Sequence, residues 1–249
     1  MQLSLVTWNL QGGDGVDTAM VARKLGAGGT TPAVVLLQEV HRGHVVALAR
    51  ALRMRALWRW KHWPIVRGIE GLGVLTSGRI TRQRTLVVER APFWSYQRRI
   101  VVLVEFDHEG EPVVVANAHL SPYGLGDKRR AQAERVRAAL ERFAPGCPAI
   151  VGGDLNDHPG SGGAAAFAEW GWRDSWTVVH GDLPEPAGAT NWLGGEPRIG
   201  RPPDQRIDYV FAPARWDVNA AAVPSSDGND EWPLIADHLP LSVTLTRSA

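Results

Sequence analysis

The chain has 249 residues, 44% of them apolar and 21% charged, enough to bury one large core or two small ones. Lysine and arginine total 27 against 26 acids, so the formal charge of +1 gives no global case for a nucleic-acid or membrane-surface protein, and no apolar run approaches the roughly 18 residues of a bilayer span. Cys147 is the one cysteine, which excludes an intramolecular disulfide and a cysteine metal cluster and leaves oxygen and imidazole to hold any cation.

A strand-like run over residues 3–10 follows Met1 almost directly, with no basic and apolar leader before it, and predicts a cytoplasmic protein. A second strand is expected over residues 33–37 and a helix over 44–52. Residues 53–64 interleave tryptophans with cations. As a loop this segment would stack bases and contact phosphates. As a strand, the favoured reading, it would turn Trp58, Trp60 and His62 inward and Arg59, Lys61 and Trp63 to the other face.

Strands are expected next over residues 72–75, 100–106 and 113–118. A helix over 128–143 follows, with Ala131, Val136, Ala139, Leu140 and Phe143 at helical spacing. Further strands are read over 149–151, 207–211 and 241–245. Gly/Pro-rich residues 152–163 and 194–203 each abut a strand carrying polar residues and read as site loops. Nothing marks a linker or a repeat, so residues 1–249 form a single α/β domain of two packed sheets flanked by helices.

Charge is distributed unevenly. Residues 53–99 carry eleven Lys/Arg against Glu70 and Glu89, a balance of +9, whereas residues 181–240 hold ten acids against four arginines, or −6. The first suits an anionic substrate and the second a divalent cation, and ordinary solvated surface accounts for either equally well.

Polar residues recur where strands end, the positions from which a scaffold aims side chains into a shared cleft. They are Asn9 in Thr7-Trp8-Asn9, Glu39 in Leu37-Gln38-Glu39, His119 in Asn117-Ala118-His119, and Asp154 and Asn156 in Gly153-Asp154-Leu155-Asn156. Asp208 follows in Arg206-Ile207-Asp208-Tyr209, and Asp237 with His238 in Asp237-His238-Leu239-Pro240. Singly, each of these is an ordinary turn former or surface histidine.

Taken together in this order, they resemble the endonuclease/exonuclease/phosphatase superfamily, which includes abasic-site endonucleases, pancreatic-type deoxyribonuclease and neutral sphingomyelinases. The resemblance runs from Thr7 to Pro240. It implies a four-layered α/β sandwich with the active site at one rim between the sheets, and phosphoester cleavage by water with Mg²⁺ or Mn²⁺. Carboxylate and amide oxygens are also what such a hard cation prefers.

By the same resemblance Glu39 is the main metal ligand, with Asn9 and Asp237 beside the ion and Asn9 also near the substrate. Asp154 orients or deprotonates the attacking water, and Asn156 hydrogen-bonds the phosphate. Asp208 and His238 form a pair in which the carboxylate fixes and charges the imidazole, and His119 is a second histidine, a general acid or phosphate ligand. Arg98 matches a phosphate-contacting arginine, a place Arg99 can also fill. Glu70 falls near a position that supports the second histidine and is left outside the site.

Substrate choice rests on loops. Residues 189–205 lead into the Arg-Ile-Asp-Tyr strand, and Trp192, Arg198 and Arg201 there can grip a base, a sugar or a phosphate. The +9 balance favours nucleic acid, which makes a nuclease acting on DNA or RNA the leading expectation. The alternative is a phosphatase or phosphodiesterase acting on a nucleotide, a sugar phosphate or a lipid headgroup. A non-catalytic phosphate-binding module is disfavoured by the intact water-activating set. If His238 must be neutral, activity should climb from about pH 6 to pH 8.

Overall fold

The computed structural model describes residues 1–11, 15–26, 29, 31–62, 69–92, 94–95, 97–122, 124–192, 201–224 and 235–248. Its first sheet contains β1 (Gln2–Asn9), β2 (Val34–Val40), β3 (Arg55–His62), β4 (Glu70–Thr76), β11 (Trp216–Ala222) and β12 (Leu241–Arg247), in the order β11-β12-β1-β2-β4-β3. The second contains β5 (Ile80–Glu89), β6 (Arg99–His108), β7 (Glu111–His119), β8 (Ile150–Asp154), β9 (Arg173–Asp174) and β10 (Asp208–Ala212), in the order β5-β6-β7-β8-β10-β9. Both are mixed: β1 with β2 and β7 with β8 run parallel, and the other pairs run antiparallel.

The two sheets bury their facing sides against each other through Leu3, Leu5, Val34, Leu36, Val102, Val104, Val115 and Val210. The outer face of the first is covered by α1 (Thr18–Gly26) and α2 (Arg42–Leu52), through Val21, Val45 and Leu48 on Trp8, Val35 and Leu37. α3 (Gly126–Phe143) and α4 (Gly162–Glu169) cover the second, through Val136, Leu140 and Phe167. The short helix α5 (Ser175–His180) starts from Asp174, whose carboxylate accepts the Trp176 amide at 3.1 Å. The order helix, sheet, sheet, helix is the four-layered sandwich expected.

Central strands are covered on both faces, which is why β2 reads as an unbroken apolar run up to Leu37. Edge strands do not show this pattern. β5 carries exposed polar residues 81–85, and β11 alternates only weakly, so neither was anticipated. α1, α4 and α5 are short and were likewise missed.

A polar link crosses the largely apolar space between the sheets. Asn117 on β7 donates from Nδ2 to the carbonyls of Leu37 at 3.0 Å and Gly73 at 2.8 Å, and accepts from Gln38 Nε2 at 2.8 Å. The Leu37 carbonyl lies where the pairing of β2 with β4 slips between Leu37 and Val40. The bulge thus finds its backbone partner on the opposite sheet. Asn117→Leu takes the side-chain donor from two buried carbonyls and one of its acceptors from Gln38 Nε2, and is expected to cost about 2–4 kcal/mol in urea unfolding. A loss below about 0.5 kcal/mol, the size of an ordinary surface change, contradicts this role.

Candidate active site

The chain direction brings the C-terminal ends of β1, β2, β7 and β8 and the N-terminal ends of β4, β6 and β10 to the same rim. Asn9, Glu39, His119, Asp154 and Asp208 meet there, and Asp237 and His238 arrive just before β12. Asn9 Nδ2 donates to Asp154 Oδ2 at 3.0 Å, linking one sheet to the other, while Asn9 Oδ1 accepts the Gln11 amide at 2.9 Å. His119 Nε2 lies 3.6 Å from Asp154 Oδ2 and 3.7 Å from Glu39 Oε1.

Simple alternation would send Glu39 outward, because Leu36 and Gln38 face the other sheet and Leu37 faces the helices. The bulge adds one residue, and Glu39 adopts a left-handed φ of 50°. Gln38 and Glu39 then both serve the inward side, and Val40 returns to the helix layer. A non-glycine residue in this region is the kind of backbone cost kept at working sites.

Asp208 and His238 form the expected pair. The imidazole Nδ1–H donates to Asp208 Oδ2 at 2.7 Å, and the Thr190 hydroxyl donates to the same oxygen at 2.6 Å. Burial alone would lower His238, but the charge and hydrogen bond of Asp208 outweigh it and lift the imidazole to about 10. His238 is therefore an imidazolium at neutral pH, and the climb expected between about pH 6 and 8 cannot come from its deprotonation. Its Nε2 lies 4.0 Å from Asp154 Oδ2. Burial first, then the charge of Asp208, raises Asp154 to about 7. His119 is held well below the ordinary imidazole range by burial and then by Lys61 and Arg99.

Asp154, Asp208 and His238 offer ligand atoms within 4.8 Å of one another, a buried group able to hold a metal ion. Asp208 Oδ2 is engaged with His238 and Thr190, but Asp208 Oδ1 is buried with no hydrogen-bond partner among the described residues, whereas both oxygens of Asp154 accept one, from Asn9 and from the Asn156 amide. Asp237 Oδ1 is buried and meets no hydrogen-bond partner among the described residues. Burial, with Glu39 adding and His238 opposing, raises that carboxyl to about 6. Converging, under-satisfied carboxylates of this kind fit a hard divalent cation.

Several contributors went unread in the sequence. Lys61 Nζ is 3.6 Å from Glu39 Oε1 and 3.5 Å from Glu70 Oε2, and His62 Nε2 is 3.3 Å from Glu70 Oε2. Glu70 thus serves Lys61 and His62. Burial dominates this group: it lowers Lys61, raises Glu70 and takes His62 down to about 3. The strand reading of residues 53–64 fits as far as His62, but its faces are reversed. Leu57 is inward, Lys61 reaches the rim, Trp58 packs on the helix side and Trp60 is exposed. A slip against β4 between Trp60 and His62 then lets His62 join Lys61 beside Glu70.

Of the two candidate arginines, Arg99 is the buried one, donating from Nε to the Leu120 carbonyl at 3.1 Å. Arg98 lies over the Trp60 ring at 4.4 Å and donates to the Lys61 carbonyl. Asn156 donates from Nδ2 to the Leu120 carbonyl at 3.1 Å, and its amide is bound by Asp154 at 2.8 Å. Trp192 does not offer the open ring expected of a substrate clamp: it is buried, and its indole donates to the Arg201 carbonyl at 2.8 Å. Arg201 is paired with Asp204 at 2.6 Å. Arg198 and most of the loop around it, residues 193–200, lie outside the described residues.

A folded-state value of about 10 for His238, against about 6.5 unfolded, means that its pairing with Asp208 stabilises fully below about pH 6.5 and loses this contribution as pH rises toward 10. In chelator, the stability deficit of Asp208→Asn should therefore be largest near pH 6 and shrink steadily toward pH 10. Denaturant melts across that range check it, and a deficit that is flat or grows with pH contradicts the pairing.

Three solved structures share the fold across nearly their full length. The endonuclease/exonuclease/phosphatase from Bacteroides vulgatus superimposes with a TM-score of 0.79 at 16% identity, covering 100% of each chain. A mannosyl-6-phosphatase from Bacteroides thetaiotaomicron gives 0.77 at 19% identity, covering 98% of this chain and 99% of that one. The human Nocturnin catalytic domain with bound sulfate gives 0.76 at 18% identity, covering 99% and 95%. No curated protein matches the sequence. The family model described as Endonuclease/Exonuclease/phosphatase family matches residues 6–238, and the chain belongs to that family.

Proposed function

We propose that the protein is a divalent-cation-dependent phosphodiesterase that hydrolyses DNA or RNA with water activated at Asp154. The observation that carries this reading is the meeting, at one rim, of the buried Asp154 carboxylate, the Asp208–His238 pair and the further carboxylates of Glu39 and Asp237. Glu39 and Asp237, with Asn9 beside them, would hold the cation. When bound, it would supply charge neutralisation at the phosphoryl and leaving oxygens.

The remaining work falls to the side chains. Asp154 Oδ2, oriented by Asn9, accepts the proton of the attacking water. His238, kept charged by Asp208, and Arg99 donate to phosphoryl oxygens as negative charge grows there. His119, neutral and 3.6 Å from Asp154 Oδ2, lines the same pocket as a hydrogen-bonding group. Asn156 borders it from the loop after β8.

For nucleic acid as the substrate, the support is local. Arg98 and Trp60 form a partly exposed cation–ring pair, and each is one residue from a buried rim residue, Arg99 or Lys61. Such a pair suits a base beside the scissile phosphate. The basic segment also supplies Lys61 and Arg99 to the rim, so part of its charge serves phosphate of any origin.

Oligonucleotides and small phosphate esters, each with Mg²⁺, Mn²⁺ or chelator, separate the readings. The expected result is metal-dependent cutting of oligonucleotides that falls by about 10²–10⁴-fold in Asp154→Ala. Release of phosphate from small esters alone would overturn the nucleic-acid assignment, and undiminished cutting by Asp154→Ala would overturn the mechanism. The rate should rise with pH through an apparent pKa at or below about 7, as Asp154 loses its proton, and stay level to about pH 9. Asp208→Asn should bring the alkaline fall to lower pH, because His238 then loses the charge that holds its proton. An unchanged profile would separate the pair from catalysis.

A further inference from the structure

Lys61 is almost wholly buried, with 2% of its side chain exposed, and its ammonium lies between two carboxylates on neighbouring strands. Nζ is 3.6 Å from Glu39 Oε1 on β2 and 3.5 Å from Glu70 Oε2 on β4. A lysine is retained at such depth only where its charge is matched. On the proposed reading, Glu39 is also the carboxylate that holds the divalent cation.

Hydrolases that use two cations place them about 3.5–4 Å apart with a shared carboxylate between them. Here the carboxylate available for sharing is Glu39, and the next acid along the rim is Glu70. The position between the two is filled by Lys61 Nζ.

We propose that Lys61 takes the place of a second metal ion between Glu39 and Glu70, so that Glu39 holds one divalent cation with a fixed ammonium beside it. Glu70 is the anchor that keeps this ammonium in position when Glu39 turns to the cation. The inference rests on the metal-dependent reading given above. It also accounts for Glu70, a buried acid that the proposed hydrolysis does not itself use.

Binding of Mn²⁺ to metal-free protein, followed by calorimetry and by electron paramagnetic resonance, tests this in the wild type, Lys61→Met and Lys61→Arg, with circular dichroism as the folding control. One Mn²⁺ is expected in the wild type and in Lys61→Arg. Lys61→Met, which leaves Glu39 and Glu70 without their ammonium, should take a second ion or bind the first at least tenfold more tightly. Two ions in the wild type, or a Lys61→Met protein with unchanged stoichiometry and affinity, would overturn the proposal while leaving metal-dependent hydrolysis intact. Should Lys61→Met fail to fold, the count in the wild type and Lys61→Arg decides. A wild type that binds no Mn²⁺ defeats the metal-dependent reading itself, and the role of Lys61 with it.

Discussion

Glu39, Asp154, Asp208 and Asp237 are carried to one end of two facing sheets, where two of them, Asp154 and Asp208, are removed from water almost entirely. Like charges gathered at low solvent exposure oppose folding unless each has a partner or keeps its proton. The surroundings answer this case by case. Asp208 receives His238 and Thr190, Asp154 receives Asn9, and Glu39 faces Lys61 and His119. Asp237 keeps one buried oxygen without a partner among the described residues. The rim is thus a place where stability is given up locally, and the apolar layers between and outside the sheets carry that cost.

Holding such a site open requires the sheets to keep their spacing and their inward directions. Asn117 fixes the spacing from β7 to the backbone of β2 and β4. The two slips against β4, one in β2 and one in β3, fix the directions of Glu39 and His62. Close backbone approach goes with them: a Cβ on Gly71 would stand 2.1 Å from the Arg59 carbonyl oxygen, so only glycine fits between the two bulged strands. On the opposite sheet Gly153, at a φ of 139°, precedes Asp154 where a Cβ would meet the Ala118 carbonyl oxygen at 1.8 Å. Strand bulges and glycines at the rim therefore act together to aim the chemistry.

The layered fold was legible because its central strands are continuous apolar runs and its longest helix has regular spacing. The strand-end acids and histidines were legible because each lies in a short motif whose order along the chain is distinctive. Lys61, His62 and Glu70 were not, for a physical reason. Lys61 keeps the alternation set by Leu57, and Glu70 that of Leu72 and Val74, on strands whose inward face the sequence alone does not fix, while His62 turns inward only through the slip against β4, and no periodicity in one sequence reports a bulge. Trp192 misled in the other direction: a tryptophan among glycines and arginines reads as a surface clamp, yet its ring is buried and its indole N–H is used within the loop. The same limit applied to Arg98 and Arg99, adjacent residues whose burial differs because a strand alternates.

The central claim is that the rim trades stability for cation binding, and Asp237 tests it most directly. Thermal unfolding of the wild type and Asp237→Asn should be followed with chelator and with Mn²⁺. The account predicts that Asp237→Asn melts higher than the wild type in chelator, because a half-buried carboxylate with one unpartnered buried oxygen no longer has to be ionised, and that it loses most of the rise that Mn²⁺ gives the wild type. A variant that melts lower in chelator and keeps the full Mn²⁺ shift would contradict it.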